Sequence, residues 1–159
     1  MSLENFIYES TNEIINGSFD EAKPRIVKHK EIYHDDSAIC FSLLALGSFI
    51  KKQYKEYYQF MNDAQFLVER SSDCFTQILH ELVQGYINFT EKDSTLYSIN
   101  YNKARKLAVR TQKTLFFEKL ASMLKCPPIT HLSVHAQVKD PLIALVKIGQ
   151  AVAAEKDIS

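Results

Sequence analysis

The chain reads as an all-α protein of antiparallel helix pairs, and three observations carry that expectation. Only 4 Gly and 4 Pro occur in 159 residues, too few for the many tight turns of a sandwich or barrel. Apolar residues recur at i, i+3, i+4 and i+7 through most of the first 124 positions, the period of a helix with one buried face. Stop and start residues separate these stretches at short intervals. Hydrophobic residues at 46% and charged residues at 24% are globular values and exclude disorder or collagen-like structure. The length allows one domain with a short appendage. No apolar run approaches the ~20 residues of a membrane span.

The first helix is predicted from Leu3 to Ile15, with Ile7 and Ile14 on one stripe, and Asn16-Gly17-Ser18 stops it. Ser18 with Glu21 three residues on forms a capping box, opening a helix to about Tyr33 that buries Phe19, Ala22, Ile26 and Val27. Pro24 falls just past its first turn and predicts a kink or an irregular start. His34-Asp35-Asp36-Ser37 breaks the chain with an acidic cap. The helix from Ala38 to about Lys52 is apolar nearly all round, as in the middle of a bundle. The next runs from Tyr54 to about Arg70, with Tyr54, Tyr57, Tyr58, Met61, Ala64 and Leu67 or Val68 inward.

Ser71-Ser72-Asp73 caps a helix that buries Phe75, Ile78, Leu79, Leu82, Val83 and Tyr86. Thr90 to Thr95 is polar and reads as a loop. A helix from about Tyr97 to Arg110 buries Ala104, Leu107 and Ala108, and one from Lys113 to Lys125 buries Leu115, Phe116, Leu120, Ala121 and Leu124. Pro127-Pro128 ends it. Residues 1–126 thus form a helical domain, and 127–159 form an arm of different character. Ile129 to Val138 alternates apolar and polar residues, the period of a half-buried strand or extended arm. Asp140-Pro141 then starts a small apolar helix from Leu142 to Ala154. That helix either caps the core or joins a second copy as an exchanged arm.

Seven helices in pairs invite a search for repeats. Asn16-Gly17-Ser18-Phe19-Asp20-Glu21-Ala22 resembles the turn of a tetratricopeptide repeat, and Lys52-Gln53-Tyr54-Lys55-Glu56-Tyr57 repeats it. Phe19 and Tyr54 stand 35 residues apart, against a family period of about 34. Leu46-Gly47 and Ile50 are similar to the Leu-Gly and aromatic positions of the family's first helix, and Ala64 to its later small residue. The departures are a short turn before Tyr54, Tyr57 in place of Ala, Glu9 in place of an apolar residue, and an enlarged third loop from Thr90 to Ile99. The resemblance implies a short superhelix; a plain antiparallel bundle is the competing architecture.

In that family the first helix of each pair lines a concave groove. The resemblance therefore makes His80, Glu81, Gln84 and Asn88, facing Ser48 and Lys51 of the neighbouring pair, a ligand surface; from the residues alone they form a solvated helix face. The family's carboxylate clamp wants Lys and Asn where Leu44 and Ala45 stand, so an apolar helix against Phe41 and Leu44 is the better-fitting ligand.

No G-x-S-x-G, P-loop, G-x-G-x-x-G or H-E-x-x-H motif occurs, so no enzymatic activity and no cofactor are expected. Three Cys without a C-x-x-C and the absence of a leader-like start suit a reducing, cytoplasmic setting. Cys126, His131 and His135 have a metal-like spacing, one ligand short of a closed zinc site; two solvated His on an exposed strand are the alternative.

The formal charge is zero, yet residues 101–126 carry seven basic residues against Glu118 alone, and residues 1–100 carry nine basic against fifteen acidic. Lys103, Lys106 and Arg110 recur at i, i+3, i+7, with Lys113 next, as a basic helix face. Such a face attracts acidic partners or phosphates, or pairs with the acidic half of the chain or of a second copy. The expected function is a protein–protein interaction module (adaptor, chaperone or regulatory subunit) binding a peptide or partner helix. Polyanion or nucleic-acid binding, and a small metal protein or enzyme, are the alternatives.

Overall fold

A computed structural model describes residues 2–129. Seven α-helices follow in order, and no strand occurs among these residues: α1 (Leu3–Ile15), α2 (Phe19–Ile32), α3 (Ser37–Ile50), α4 (Tyr54–Val68), α5 (Cys74–Thr90), α6 (Ser94–Thr111) and α7 (Thr114–Met123). A single 3-10 turn, His34–Asp36, precedes α3.

Three hairpins, α1–α2, α3–α4 and α5–α6, share one turn. Each link is three residues long, and its middle residue is left-handed: Gly17 at φ 92°, Lys52 at φ 61° and Lys92 at φ 64°. The next amide closes the turn onto the preceding helix, Ser18 N–H to the Glu13 carbonyl, Gln53 to Ser48 and Asp93 to Asn88, each at 2.8 Å. This is the six-residue closure that satisfies a helix's last carbonyls. Only the first turn uses Gly; the other two place Lys in the left-handed position.

The expected loop at Thr90–Thr95, and its enlargement to Ile99, do not exist. α5 includes Thr90, and α6 begins at Ser94 with the Asp93 carboxylate accepting the Leu96 N–H at 3.0 Å. The polar run is two helix ends abutting. Two further expectations change. Ser18 holds the N-cap position of α2 without a side-chain cap, its backbone at φ −103° and ψ 36° rather than the extended conformation of a capping residue. Asp36 precedes α3 but does not cap it; its carboxylate pairs with His29 Nε2 at 2.9 Å instead. α2 runs unbroken through Pro24.

α3 lies at the centre, buried on nearly every side, against α1, α2, α4 and α5. α7 packs against α6, α1 and α5. Its Phe116 is fully buried between Tyr8 and Phe75, with ring centroids at 5.7 and 4.9 Å, and Phe117 meets Tyr101 at 5.2 Å. Leu115, expected inward, is 80% exposed. It stands about 140° round the helix from Leu120, and Phe116, Phe117 and Leu120 set which face docks. Tyr54 and Tyr58, also expected inward, are exposed. α4 packs on α3 and only the edge of α5, and Met61 and Ala64 suffice for that contact.

After α7 the chain runs back along α6. Tyr97 Oη donates to the Pro127 carbonyl, and Arg105 Nη1 donates to the Ile129 carbonyl at 3.0 Å. The predicted arm, the C-terminal helix and the homodimer through it lie outside the described residues.

Candidate interaction surface

The polar stripe on α5 turns inward. Asn100 of α6 is its hub: Nδ2 donates to Glu81 Oε1 at 3.0 Å and to Gln84 Oε1 at 3.4 Å, while Asn88 Nδ2 donates to Asn100 Oδ1 at 2.7 Å. Glu81 is buried and pairs with Lys103 Nζ at 3.2 Å. His80 is buried, with Nδ1 3.3 Å from Ser42 Oγ of α3. Burial pushes the His80 pKa down; Glu81 raises it, Lys103 lowers it further and Glu69 raises it. Satisfied in this way, a buried polar seam fixes the register of α5 on α6.

The residues expected to line a groove are therefore divided. Ser48 is fully buried, and its hydroxyl finds no partner. Lys51 is exposed but paired with Asp20 at 3.1 Å. His80 and Glu81 are interior, and Gln84 and Asn88 are half-buried against α6. Leu44 is buried, and Phe41 is half-buried with Lys30 Nζ 5.3 Å from its ring. α1 and α5, two of the helices expected to line a groove, both pack against α7. A helix's polar residues show in the sequence, but which neighbour they meet does not.

The basic face is exposed and longer than its cations. Lys103, Lys106 and Arg110 are all exposed; Lys103 turns its Nζ to Glu81, while neither Lys106 nor Arg110 has an ion-pair partner among the described residues. Lys113 leaves the face: it is half-buried, with Nζ 5.0 Å from the Phe75 ring. Because α6 begins at Ser94, the spacing extends backwards through Ile99, 54% exposed, and Leu96, 46% exposed. Leu96, Ile99, Lys103, Lys106 and Arg110 recur by alternate steps of three and four residues, the seam along which one helix receives another. The ridge is about 21 Å long at 1.5 Å per residue. Arg105 lies off it, donating to Asn102 Oδ1 at 2.8 Å as well as to Ile129. Leu96 and Ile99 are not legible as part of this face from charge spacing alone, because they carry no charge and Leu96 stands ahead of the helix start expected near Tyr97.

Chemistry elsewhere is sparse. Burial pushes the Cys126 thiol up to about 11, the Tyr97 hydroxyl pulling the other way. No cluster of three metal-ligating side chains forms among the described residues; His131 and His135 lie outside them. His29 is engaged, stacked on Phe6 at 3.8 Å and paired with Asp36. No helix of the described residues is long and apolar enough to cross a membrane. No protein-family model matches this chain, and no curated protein or solved structure matches it.

Proposed function

We propose that the chain is a tetratricopeptide-like interaction module, an adaptor, chaperone or regulatory subunit, that receives a partner helix on the outer ridge of α6 rather than in an inner groove. The three hairpins with one shared turn support the repeat reading. One observation carries the binding reading: exposed Leu96 and Ile99 run straight into Lys103, Lys106 and Arg110 on a single helical seam. A partner complementary to it is an amphipathic helix, apolar at one end and acidic at the other. The apolar end supplies burial and the charged end supplies steering and orientation.

A nucleic acid or other polyanion would use the same three cations but leave Leu96 and Ile99 idle. A fluorescent acidic amphipathic peptide and a labelled RNA oligonucleotide, each titrated across a salt series, separate the two readings. The proposal expects peptide binding that weakens about tenfold with Ile99→Ala and about tenfold with Lys106→Glu. Tight RNA binding, steep in salt and indifferent to Ile99→Ala, would replace this reading with the polyanion one. Binding of neither probe removes both.

A further inference from the structure

A second exposed ridge runs along α4, on the opposite side from Met61 and Ala64. Lys55, Tyr58, Asn62, Phe66 and Glu69 stand on it, all exposed, Tyr58 at 64% and Phe66 at 56%. The steps between them are three, four, four and three residues, so the ridge is symmetric about Asn62. Its chemistry is complementary about the same point. An aromatic residue lies four positions to either side, and outside these a cation at the N-terminal end faces an anion at the C-terminal end.

An isologous contact requires that residue i meet j while j meets i. Two α4 helices laid antiparallel about a twofold axis at Asn62 meet that condition along the whole ridge. Lys55 lies opposite Glu69 of the second copy, Tyr58 opposite Phe66, and Asn62 opposite itself. The α6 ridge fails the same test, because antiparallel pairing there would set leucine against arginine. From this symmetry and charge complementarity we infer that α4 is a self-association surface, the occupant being a second copy of this chain docked antiparallel through α4.

The ridge is prepared for contact without being consumed internally. Lys55 has no ion-pair partner among the described residues. Among the described residues Glu69 accepts one long side-chain bond, 3.4 Å from Gln65 Nε2. The Arg70 guanidinium lies 3.6 Å from the Phe66 ring centroid and donates to the Phe66 carbonyl at 2.7 Å. It braces one side of the ring and leaves more than half of Phe66 in solvent. Aromatic pairs of this kind, ringed by charge, are the usual anchors of small interfaces. A single helix pair offers less than the about 1,200–2,000 Å² of a standard stable interface, so the dimer dissociates on dilution. The surface is distinct from α6, so a dimer leaves that ridge open on both copies.

Sedimentation velocity of the full chain, from micromolar to near-millimolar concentration, tests this. The wild type is expected to shift from monomer to dimer. Lys55→Glu turns two symmetry-related attractions into repulsions and raises the dissociation constant about tenfold. The double variant Lys55→Glu with Glu69→Lys restores it, which a merely misfolded protein would not do. In a Cys74→Ser background, Asn62→Cys places two thiols at the axis, so a short bis-maleimide is expected to cross-link this variant and not Cys74→Ser alone. A monomer at every concentration overturns the inference. So does a dimer that ignores Lys55→Glu, is not restored by the double exchange, or leaves Asn62→Cys uncross-linked.

Discussion

Gly47 lies in the interior of α3, where helix propensity alone predicts that Gly47→Ala stabilises the protein by about 1 kcal/mol. The tertiary structure reverses the sign. A Cβ at this position would stand 2.1 Å from both Cδ1 and Cε1 of Phe19 and 2.6 Å from its Cγ. Ordinary contact begins near 3.4 Å, so the ring must retreat by roughly 1.3 Å. It has nowhere inexpensive to go, because Phe19 is the first residue of α2 and is buried against the core. A Cβ at 2.1 Å from two ring atoms belongs at the upper end of overpacking costs, about 2–3 kcal/mol, which exceeds the propensity gain and leaves a net loss of about 1–2 kcal/mol. The midpoint of thermal unfolding should fall by roughly 3–8 °C. Urea denaturation followed by circular dichroism measures the loss directly, provided the m-value is unchanged. Phe19→Leu supplies the control, since its smaller side chain withdraws the ring edge. In that background Gly47→Ala should cost measurably less, and the cycle isolates the contact. A Gly47→Ala protein as stable as the wild type, or an equal cost in both backgrounds, would refute the close approach of α2 to α3.

Two further outcomes follow from the buried titratable groups. Burial lowers the His80 pKa below its ordinary 6.5, so below about pH 6.5 the unfolded chain binds more protons than the folded one, and stability is lost as pH falls through that window and is full above it. Denaturation curves between about pH 7.5 and 5.5 should show a shallower decline for His80→Gln than for the wild type; identical slopes would refute this role for His80. Burial, reinforced by Asp36, pushes the Cys40 thiol up to about 12, and burial pushes Cys126 up to about 11, whereas Cys74 is only half-buried. A thiol reagent at neutral pH should label Cys74 first in the native protein; equal labelling of all three would show that the core opens on the timescale of the reagent.

The helices themselves were legible because their evidence is local. The apolar period of α1 and α5, the all-round apolar α3 and the Asn16-Gly17-Ser18 stop can each be read without knowing what lies opposite. The turns at Lys52 and Lys92 were less so, since a left-handed Lys looks like any other. Taking Thr90–Thr95 for a loop had a direct consequence. It removed the first turn of α6, and with it Leu96 and the apolar end of the ridge, while Lys103, Lys106 and Arg110 were found from their spacing alone. The α4 ridge was obscured for a related reason, because Tyr58 was given to the core on its chemistry, whereas α4 has neighbours on one side only.

By itself, then, the order of residues determined an all-helical chain, the bounds of most helices to within a few residues, a central α3 and a charge divided between an acidic first hundred residues and a basic stretch after them. Only the tertiary structure decided which faces remain outside. Docking α6 onto α5 turned Glu81, Gln84 and Asn88 into an internal seam, Ser42 of α3 met His80, and α7 packed against α1 and α5. Periodicity is a property of one helix, whereas exposure is a property of two. A face is free only when no other element has taken it, and that depends on the left-handed turns and the buried Phe116, Phe117 and Leu120 that set where each helix goes.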